Sequence, residues 1–553
     1  MLEREIRDIY RFWLESPIFD NEIKQELTGL SEEEIYDRFY CDLEFGTSGV
    51  RGILGAGTNR MNKYLIRRLS WSLGETILRE GIAEKGVVIA GDPRRCSDEF
   101  CLETALVLAA QGIKVYLFDA LRPTPELSFA VRHLGCAAGV MITASHNPKE
   151  YNGYKVYGDD GAQLSPFYAD QMTDILNRCP WEVKTASREE AIACGLLEII
   201  GEDVDREYLE CVKNELLEAD LIKEHGGEMK IVFTPLHGTG RVPVQQVLAE
   251  AGFADVTTVR EQEMPDTEFS TVASPNPEDK GAWDLALRYA GEQGSELLLA
   301  TDPDADRLGV QCRKEDGNYH HFTGNQIGIL LTNYILEALE EKSGLPEDGV
   351  VIQNVVSTAF TEKLAEKFGV ERRIVPVGFK FIGEQIKEME TAGKGTFLFG
   401  FEESIGYLKG TYARDKDAVA AAALVAEAAL YYKVKHGKSL YAVLQELFDE
   451  YGCFVDQQVS MKFEGAAGKQ KIAELLGTLE NETPDVIAGQ KVVRRWRDGN
   501  MVCIGLENGG FIKGRPSGTE PKVRLYFCIG SADQTCAYSE MEQAKKEILE
   551  LIG

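Results

Sequence analysis

Short apolar runs rich in β-branched residues alternate with amphipathic stretches along most of this 553-residue sequence. The strand candidates are Gly86–Ala90, Lys114–Phe118, Gly139–Thr143, Lys230–Thr234, Glu296–Ala300, Gly349–Asn354 and Gly395–Phe399. Between them lie stretches with helical periodicity, such as Glu99–Gln111 and Thr361–Phe368. Because strands that alternate with helices build βαβ units, this pattern predicts an α/β fold with parallel or mixed sheets.

A chain of this length is too long for one hydrophobic core and predicts several domains. Interruptions in the alternation of strands and helices place these domains at residues 1–200, 201–315, 316–440 and 441–553. The first domain includes a helical extension over roughly residues 1–40. The first three are expected to be α/β domains with mixed sheets. The last domain is predicted to be α+β, from the runs Gln458–Phe463, Met501–Leu506 and Val523–Ile529 followed by a terminal helix over Ala537–Leu551.

Charge and cysteine content limit the classes of partner. The formal net charge is −30, from 60 Lys+Arg and 90 Asp+Glu, which argues against a nucleic-acid partner. A local cluster of Arg and Lys can still bind an anionic small molecule, because distant charges are screened within about 8 Å at physiological salt. The 12 cysteines form no C-x-x-C pair, which favours reduced thiols rather than disulfides or zinc.

No segment predicts a membrane or secretory role. The N-terminus is charged from its third residue, unlike a signal peptide. The longest apolar run lies within Ala418–Tyr432, is interrupted by Glu427 and is too short to span a bilayer, so it predicts a buried helix. We therefore expect a cytoplasmic protein, a monomer or weak homodimer, with no membrane partner.

The stretch GVMITASHNPKEYNGYKVYG carries the first candidate site. A buried strand over Val140–Ile142 is expected to end in a turn that holds Ser145 and His146, with Lys155 ten residues after Ser145. The residues alone leave two interpretations, a polar turn or a nucleophilic serine at the mouth of a cleft. A serine is a weak nucleophile and needs nearby cations and a base.

The stretch LLLATDPDADRLGV places Asp302, Asp304 and Asp306 in one tight loop between two apolar runs. Three like charges at that spacing are costly unless a cation neutralises them. The sixth and twelfth positions of an EF-hand, which require Gly and Glu, hold Arg307 and Arg313, so a calcium loop is excluded. Carboxylates without His or Cys predict a hard cation such as Mg²⁺.

The stretch GRPSGTEPKVRLY combines donors that suit a phosphate, although Pro-Ser-Gly also makes an ordinary turn. A guanidinium, two hydroxyls, backbone amides and an ammonium come from Arg515, Ser517, Gly518, Thr519 and Lys522.

Two further motifs are weaker when taken alone. In LFGFEESIGY, Glu402, Glu403 and Ser404 leave the end of a predicted strand, where their acceptors could meet sugar hydroxyls. In EFGTSGVRG, the glycines predict a loop that carries Arg51 and allows close backbone approach, although a simple tight turn explains them equally well.

Several common enzyme motifs are absent from the sequence. No P-loop G-x-x-x-x-G-K-[ST] and no G-x-S-x-G elbow around Ser145 occur, and Gly238-Thr239-Gly240 lacks the third glycine of a dinucleotide fingerprint. His237, in TPLHGTG, is expected to be a structural residue.

Taken together, TASHNP, TDPDADR, FEES and RPSGTEP resemble the phosphoserine, metal, sugar and phosphate loops of the α-D-phosphohexomutase superfamily, in the family's order. The GFEES loop is similar to the branch of bacterial phosphoglucomutases that also resembles phosphopentomutases. The resemblance implies four domains around a central cleft, Mg²⁺, and interconversion of glucose 1-phosphate and glucose 6-phosphate through glucose 1,6-bisphosphate. Phosphopentomutase and phosphomannomutase activities are the alternatives within the family.

The resemblance also implies a role for each matching residue. Ser145 would carry the phosphoryl group and complete a metal site with Asp302, Asp304 and Asp306, while His146 and Lys155 would handle protons or orient the phosphoserine. The remaining implied contacts are Arg51 and Arg307 on the transferring phosphoryl group, Glu402 and Ser404 on sugar hydroxyls, and Arg515, Ser517, Gly518 and Thr519 on the distal phosphate. Phe379 stands where some phosphomannomutase-like members carry a His, so no proton role is assigned there and Lys380 is expected to contact the substrate.

The residues alone leave open two functions outside this family. A serine phosphatase-like hydrolase would share the nucleophile and Mg²⁺ but would have no need of a second phosphate site. A non-catalytic sugar-phosphate sensor would be expected to have lost Ser145 or an aspartate of the triplet, all of which are present.

Overall fold

The computed structural model describes residues 3–46, 49–463, 467–516 and 522–553. The chain opens with three helices, α1 (Glu3–Glu15), α2 (Asn21–Leu27) and α3 (Glu32–Phe39). The first α/β segment contains β1 (Val50–Ile53), α4 (Lys63–Glu80), β2 (Val87–Gly91), α5 (Ser97–Ala110), β3 (Val115–Phe118), α6 (Thr124–His133), β4 (Ala138–Ile142), β5 (Tyr151–Gly158), α7 (Pro166–Leu176), α8 (Arg188–Ala193) and β6 (Leu197–Ile200). The second contains α9 (Glu202–Asn214), α10 (Ala219–His225), β7 (Ile231–Thr234), α11 (Arg241–Ala251), β8 (Val256–Thr258), α12 (Arg260–Glu263), α13 (Asp284–Gln293), β9 (Leu297–Thr301), β10 (Leu308–Arg313) and β11 (Tyr319–His321).

The second half of the chain continues this alternation before it changes to an antiparallel sheet. The third segment contains α14 (Gly324–Lys342), β12 (Gly349–Asn354), α15 (Thr361–Phe368), β13 (Glu371–Val375), α16 (Lys380–Ala392), β14 (Thr396–Glu402), β15 (Gly406–Leu408), α17 (Ala418–Tyr431) and α18 (Leu440–Tyr451). The fourth contains β16 (Cys453–Lys462), α19 (Ala467–Asn481), β17 (Val486–Ile487), β18 (Gln490–Asp498), β19 (Met501–Leu506), β20 (Phe511–Pro516), β21 (Lys522–Ser531) and α20 (Gln534–Ile552).

The chain divides into two compact units. The first unit comprises residues 1–311, 379–393 and 406–430, and the second comprises residues 312–378, 394–405 and 431–553. The architecture is that of three α/β domains with mixed sheets and a C-terminal antiparallel sheet domain, as the sequence predicted.

The N-terminal helices of the first unit pack on α4 through aromatic side chains. Trp13 and Phe19 stack with their ring centroids 4.1 Å apart, and Phe19 contacts Tyr64 of α4 edge-on. These side chains are buried, with Phe39 of α3 in the same cluster. The helical extension predicted over residues 1–40 is therefore confirmed, and burial of its aromatic face fixes it to the first α/β segment.

The first sheet of this unit has the strand order β1-β5-β4-β2-β3-β6. β2 runs parallel to β3 and β4, and β3 runs parallel to β6, whereas β5 is antiparallel to both β4 and β1. β4 is buried along its whole length, because its neighbours and the helices cover both of its faces. Since β2 and β4 are parallel neighbours, the loops that follow them leave from the same edge of the sheet.

The second sheet of the first unit contains the strands β10-β9-β7-β8 in that order, with β7 parallel to β8 and β9. The loop between β9 and β10 holds residues 302–307. The helix predicted within Ala418–Tyr432 is α17, and the side chains over this span are buried.

In the second unit, β12 pairs in parallel with both β13 and β14. The C-terminal sheet has the order β16-β21-β20-β19-β18-β17, and each of its neighbouring pairs is antiparallel. Within the described residues, no helix has the length and apolar character needed to cross a membrane.

One sequence prediction about local structure is wrong. Arg51 was expected on a glycine-rich loop, but it lies in strand β1, opposite Gly153 of β5. Gly46 and Gly49 form a bridge just before the strand, which begins at Val50. A Cβ on Gly153 would lie 2.5 Å from the Thr143 carbonyl oxygen and 2.7 Å from that of Val50, so glycine allows these backbones to approach.

Candidate active site

Ser145 is buried and lies in the turn just beyond the carboxyl end of β4, in the first unit. Its φ of +54° is in the left-handed region, which costs about 1–2 kcal/mol for a residue with a Cβ. The Ser145 N–H donates to the Thr143 hydroxyl at 2.7 Å, and that hydroxyl donates to Asp92 Oδ2 at 2.6 Å. The turn is therefore held in a strained conformation by specific hydrogen bonds, which is common where a side chain has a functional role.

Arg94, in the loop after β2, stabilises the same turn by hydrogen bonds to its carbonyl oxygens. Its guanidinium donates to the carbonyl oxygens of Ser145 (2.6 Å), Pro148 (2.9 Å) and Tyr151 (3.0 Å), and to that of Asn147. Both Arg94 and its ion-pair partner Asp92 are buried. Burial raises the pKa of Asp92 to about 6, against the charge of Arg94. The planar, five-donor guanidinium satisfies several loop carbonyls at once.

The Ser145 hydroxyl has two polar neighbours. It donates to Asp302 Oδ2 at 2.8 Å and lies 3.2 Å from His146 Nδ1. Burial, followed by the nearby Arg307 and Arg51 cations, holds the pKa of His146 well below its usual value. The lowered pKa favours the neutral imidazole, in which one ring nitrogen is a donor and the other an acceptor.

Asp302, Asp304 and Asp306 form a buried group in the loop between β9 and β10, as predicted. One carboxylate oxygen from each can be chosen so that all three lie within 4.8 Å of one another. Ala305 between them has a φ of +49°, and the Arg307 N–H donates back to Asp302 Oδ1 at 3.1 Å. The tight loop thus turns alternate side chains toward one point.

Cations from distant parts of the chain surround these carboxylates. Lys155 of β5 donates to Asp304 Oδ2 at 2.6 Å and to Asp306 Oδ2 at 3.3 Å, and Lys416 lies 3.2 Å from Asp306 Oδ2. Lys416, Lys155 and Arg307 together lower the pKa of Asp306, although burial acts in the opposite direction. Burial and then the charges of Asp304 and Asp306 raise the pKa of Asp302 well above its ordinary value.

The carboxylates have coordination capacity left for a metal ion. Asp304 Oδ1 and Asp306 Oδ1 are buried and accept no hydrogen bond from the residues that the structure describes. A buried carboxylate oxygen without a donor is costly, and a hard divalent cation would satisfy it. The donor set, three carboxylates and the Ser145 oxygen, therefore fits Mg²⁺.

The other predicted site residues of the first unit are Arg307, Arg51 and Lys380. Arg307 Nε is 3.6 Å from Asp306 Oδ1 and 4.0 Å from Asp302 Oδ2. Arg51 donates to Asn147 Oδ1 at 3.3 Å, in the turn that carries Ser145. Lys380 is the buried first residue of α16, and burial lowers its pKa.

Glu402, Ser404 and Arg515 belong to the second unit. Glu402 is the last residue of β14 and is buried, and Ser404 follows in the turn after it. Arg515 lies in β20, directly opposite Arg524 of β21. Like charges in direct register are unfavourable, and an anion bound there would offset this. Ser517, Gly518 and Thr519 lie outside the described residues.

Sequence reasoning missed Asp92, Arg94, Thr124 and Lys416. The Thr124 N–H donates to the Asp304 carbonyl oxygen at 2.9 Å, and its hydroxyl donates to Asp304 Oδ2 at 2.8 Å. Two polar runs in the sequence could have pointed to three of these residues. They are GDPRR over residues 91–95, at the end of a strand, and RDKD over residues 414–417. His237 was correctly interpreted as structural, because its ring nitrogens contact the Met264 carbonyl oxygen (3.0 Å) and the Thr271 hydroxyl (2.8 Å).

Residues 42–181, 206–317 and 323–451 match the models for α/β/α domains I, II and III of phosphoglucomutase/phosphomannomutase. The chain belongs to the phosphoglucomutase/phosphomannomutase family, whose members are phosphotransferase isomerases.

The relatives are similar over nearly their whole length. The chain is 38% identical to a phosphoglucomutase of Staphylococcus haemolyticus over 512 residues, 89% of this chain and 91% of that protein. Among solved structures, the fold is similar to pp63/parafusin, a phosphoglucomutase of Paramecium in its open form, with a TM-score of 0.73, 19% identity and coverage of 93% and 95%. It is also similar to a phosphoglucomutase/phosphomannomutase family protein of Burkholderia thailandensis, with a TM-score of 0.67, 18% identity and coverage of 92% and 97%.

Proposed function

We propose that this chain is a phosphoglucomutase that interconverts glucose 1-phosphate and glucose 6-phosphate through a phosphoserine at Ser145. The observation that carries the proposal is the buried Ser145 hydroxyl, 2.8 Å from Asp302 in a group of three carboxylates surrounded by cations. Phosphoryl transfer depends mostly on positioning and charge neutralisation, which this arrangement supplies. The curated relatives at 35–38% identity are named phosphoglucomutase, which supports the same activity.

Mg²⁺ is the proposed cofactor, held by Asp302, Asp304 and Asp306 together with an oxygen of the phosphorylated Ser145. When bound, it neutralises charge on the phosphoryl group during transfer. Asp304 Oδ1 and Asp306 Oδ1, which accept no hydrogen bond from the described residues, support this assignment.

The reaction has two transfers in opposite directions. First, the bond between phosphorus and the Ser145 oxygen breaks, a bond to the free sugar hydroxyl forms, and the hydroxyl proton passes to a protein base. The Ser145 oxygen takes up a proton as it leaves, and the product is glucose 1,6-bisphosphate, which turns over in the site. In the second transfer the bond between phosphorus and the other sugar oxygen breaks, a bond to the Ser145 oxygen forms, the serine proton passes to a protein base, and the released sugar oxygen takes up a proton. Glucose 1,6-bisphosphate added in trace amounts would also phosphorylate Ser145 and so activate the enzyme.

Two residues are proposed to handle the protons, His146 and Lys155. His146 Nδ1 lies 3.2 Å from the Ser145 hydroxyl, within reach of a direct transfer. Lys155 donates to Asp304 and Asp306, so its ammonium group can also orient the metal ligands and a bound phosphate. Arg51 and Arg307 would stabilise the phosphoryl group in the transition state.

The substrate's remaining parts are assigned to other residues. Glu402 and Ser404 would accept or donate hydrogen bonds with two neighbouring sugar hydroxyls, and Lys380 would contact the substrate. The distal phosphate would be bound by Arg515, Ser517, Gly518 and Thr519. A second phosphate site is what distinguishes a mutase from a hydrolase that uses the same nucleophile.

The preferred sugar is testable with sugar 1-phosphates. Because Glu402 and Ser404 follow one strand end together, we expect them to bind neighbouring hydroxyls that glucose and mannose share. Glucose 1-phosphate should therefore have the highest kcat/KM, mannose 1-phosphate a lower one, and ribose 1-phosphate a lower one still, since a pentose places its second phosphate differently. Coupled assays with a trace of the matching bisphosphate measure these values. A higher kcat/KM for ribose or deoxyribose 1-phosphate would instead establish a phosphopentomutase.

The distal phosphate assignment is testable at Arg515. Arg515→Ala removes a charged hydrogen-bond partner worth roughly 1.5–3 kcal/mol, so kcat/KM should fall about ten- to a hundredfold. KM should rise and kcat should also fall, because binding energy from the distal phosphate positions the reacting hydroxyl. Lys546→Ala, an exposed cation of α20, serves as the charge control. Kinetics equal to those of the wild type would place the distal phosphate elsewhere.

A further inference from the structure

Asn354, the last residue of β12, is buried next to the two glutamates of the proposed sugar loop. Its side-chain amide group donates to Glu402 Oε1 at 3.0 Å and to Glu403 Oε2 at 2.7 Å. An amide NH₂ has two hydrogens, so these two bonds use its full donor capacity. One side chain therefore sets the positions of both carboxylates.

The carbonyl oxygen of Asn354 fixes the amide in return. Oδ1 accepts from the Val356 N–H at 3.1 Å, the Ser357 N–H at 2.9 Å and the Ser357 hydroxyl at 2.9 Å. These bonds form an Asx-type turn after the strand and determine which end of the amide points at the glutamates.

The loop that supports this amide is itself anchored in the second unit. The Val355 N–H donates to the Val375 carbonyl oxygen at 2.8 Å, and the Val355 carbonyl oxygen accepts from Lys513 of β20. The Thr358 N–H donates to Asn325 Oδ1 at 3.0 Å. Because hydrogen bonds hold the backbone of this loop at three places, the Asn354 side chain keeps its partners at a defined angle.

Glu402 receives a second bond at the same oxygen. The Gly378 N–H donates to Glu402 Oε1 at 2.8 Å, so Oε1 accepts from both Asn354 and the backbone. Since Oε1 is engaged by the protein, Oε2 is the oxygen that can be directed at a ligand. Gly378 has a φ of +124°, which favours glycine and helps to place this N–H.

We infer that Asn354 is a positioning residue that sets the orientation of Glu402 and thereby the recognition of the sugar ring. This inference rests on the proposed function. The two hydroxyls that glucose and mannose share as neighbours are those at C3 and C4, because the two sugars differ at C2. Galactose differs from glucose at C4, so a correctly oriented Glu402 should prefer glucose 1-phosphate over galactose 1-phosphate.

The decisive variant is Asn354→Asp. It keeps the shape of the side chain and the acceptor of the turn, but it removes both donors and adds a carboxylate beside Glu402 and Glu403. Asn333→Asp is the matched control in the same unit, because Asn333 is a buried amide of α14 that donates to Glu337 Oε2 at 3.1 Å and to the Tyr432 hydroxyl at 2.8 Å. Asn354→Ser is a second test, since a serine can still accept from the turn N–H groups.

For Asn354→Asp and Asn354→Ser, kcat for glucose 1-phosphate should fall about ten- to a hundredfold, the range expected when a charged hydrogen-bond partner is lost. KM should stay close to that of the wild type, because Arg515 still binds the distal phosphate. The preference for glucose over galactose 1-phosphate should fall by a similar factor, whereas in Asn333→Asp it should not change.

Intact-mass measurement should show that glucose 1,6-bisphosphate still phosphorylates Ser145 in each variant. A lower kcat with an unchanged glucose-to-galactose preference would show a merely structural role and overturn the inference. A wild-type enzyme that converts none of these sugar phosphates would overturn the proposed function instead, so the two failures are distinguishable.

Discussion

Ser145→Ala is expected to abolish mutase activity and the protein's capacity to hold a phosphoryl group. The Ser145 hydroxyl can be esterified whereas the alanine methyl group cannot, and removing a covalent nucleophile typically lowers kcat by roughly 10⁴-fold or more. Intact-mass measurement after incubation with glucose 1,6-bisphosphate should show one added phosphate on the wild type and none on the variant.

The variant also needs a test that it is folded. Ser145 is buried and takes part in a hydrogen-bonded turn, so its circular dichroism spectrum and Tm should be compared with those of the wild type. Ser165→Ala is the matched control, because Ser165 precedes α7 and its side chain makes no capping hydrogen bond. A phosphate that persists in folded Ser145→Ala protein would assign the phosphoryl group to another residue.

The fold could be predicted from the sequence because its strands carry strong local signals. β12 and β19 begin and end at the residues that the apolar pattern gave, and the other predicted strands differ by a few residues at their ends. β4 is apolar from end to end because it is buried on both faces, which makes the strand easy to recognise. In the C-terminal sheet, the sequence predicted three of the six strands, those that correspond to β16, β19 and β21.

Residues within one motif were also predictable. Asp302, Asp304 and Asp306 lie in a single loop, so their proximity follows from the sequence alone. Arg51 shows where local reasoning fails. Its glycine-rich surroundings predicted a loop, but pairing of β1 with β5 places it in a strand. The partner strand lies about a hundred residues away, and no local pattern reports that pairing.

The missed residues share this dependence on distant contacts. Asp92 and Arg94 meet the Ser145 turn only because β2 and β4 are parallel neighbours. Lys416 reaches Asp306 from more than a hundred residues further along the chain. A buried cation beside a carboxylate looks like any solvated charge in the sequence, because burial is a property of the folded chain.

Asp304→Asn is expected to remove most of the activity by weakening metal binding. Asp304 supplies a buried oxygen that accepts no hydrogen bond within the described part of the chain, and the substitution replaces a charged ligand by a neutral amide. Charge stabilisation by a metal at a phosphoryl group contributes several kcal/mol, so kcat should fall by roughly 10²–10⁴-fold. Mg²⁺ should raise the Tm of the wild type and have little effect on the variant, because only binding to the folded state stabilises it.

Chelation of the wild type should abolish activity and Mg²⁺ should restore it. Asp203→Asn, an exposed acid of α9 that pairs with Arg206, is the control and should respond to Mg²⁺ as the wild type does. Full activity in metal-stripped wild-type enzyme would exclude the metal role, and the three carboxylates would then serve only to anchor Ser145, Lys155 and Lys416.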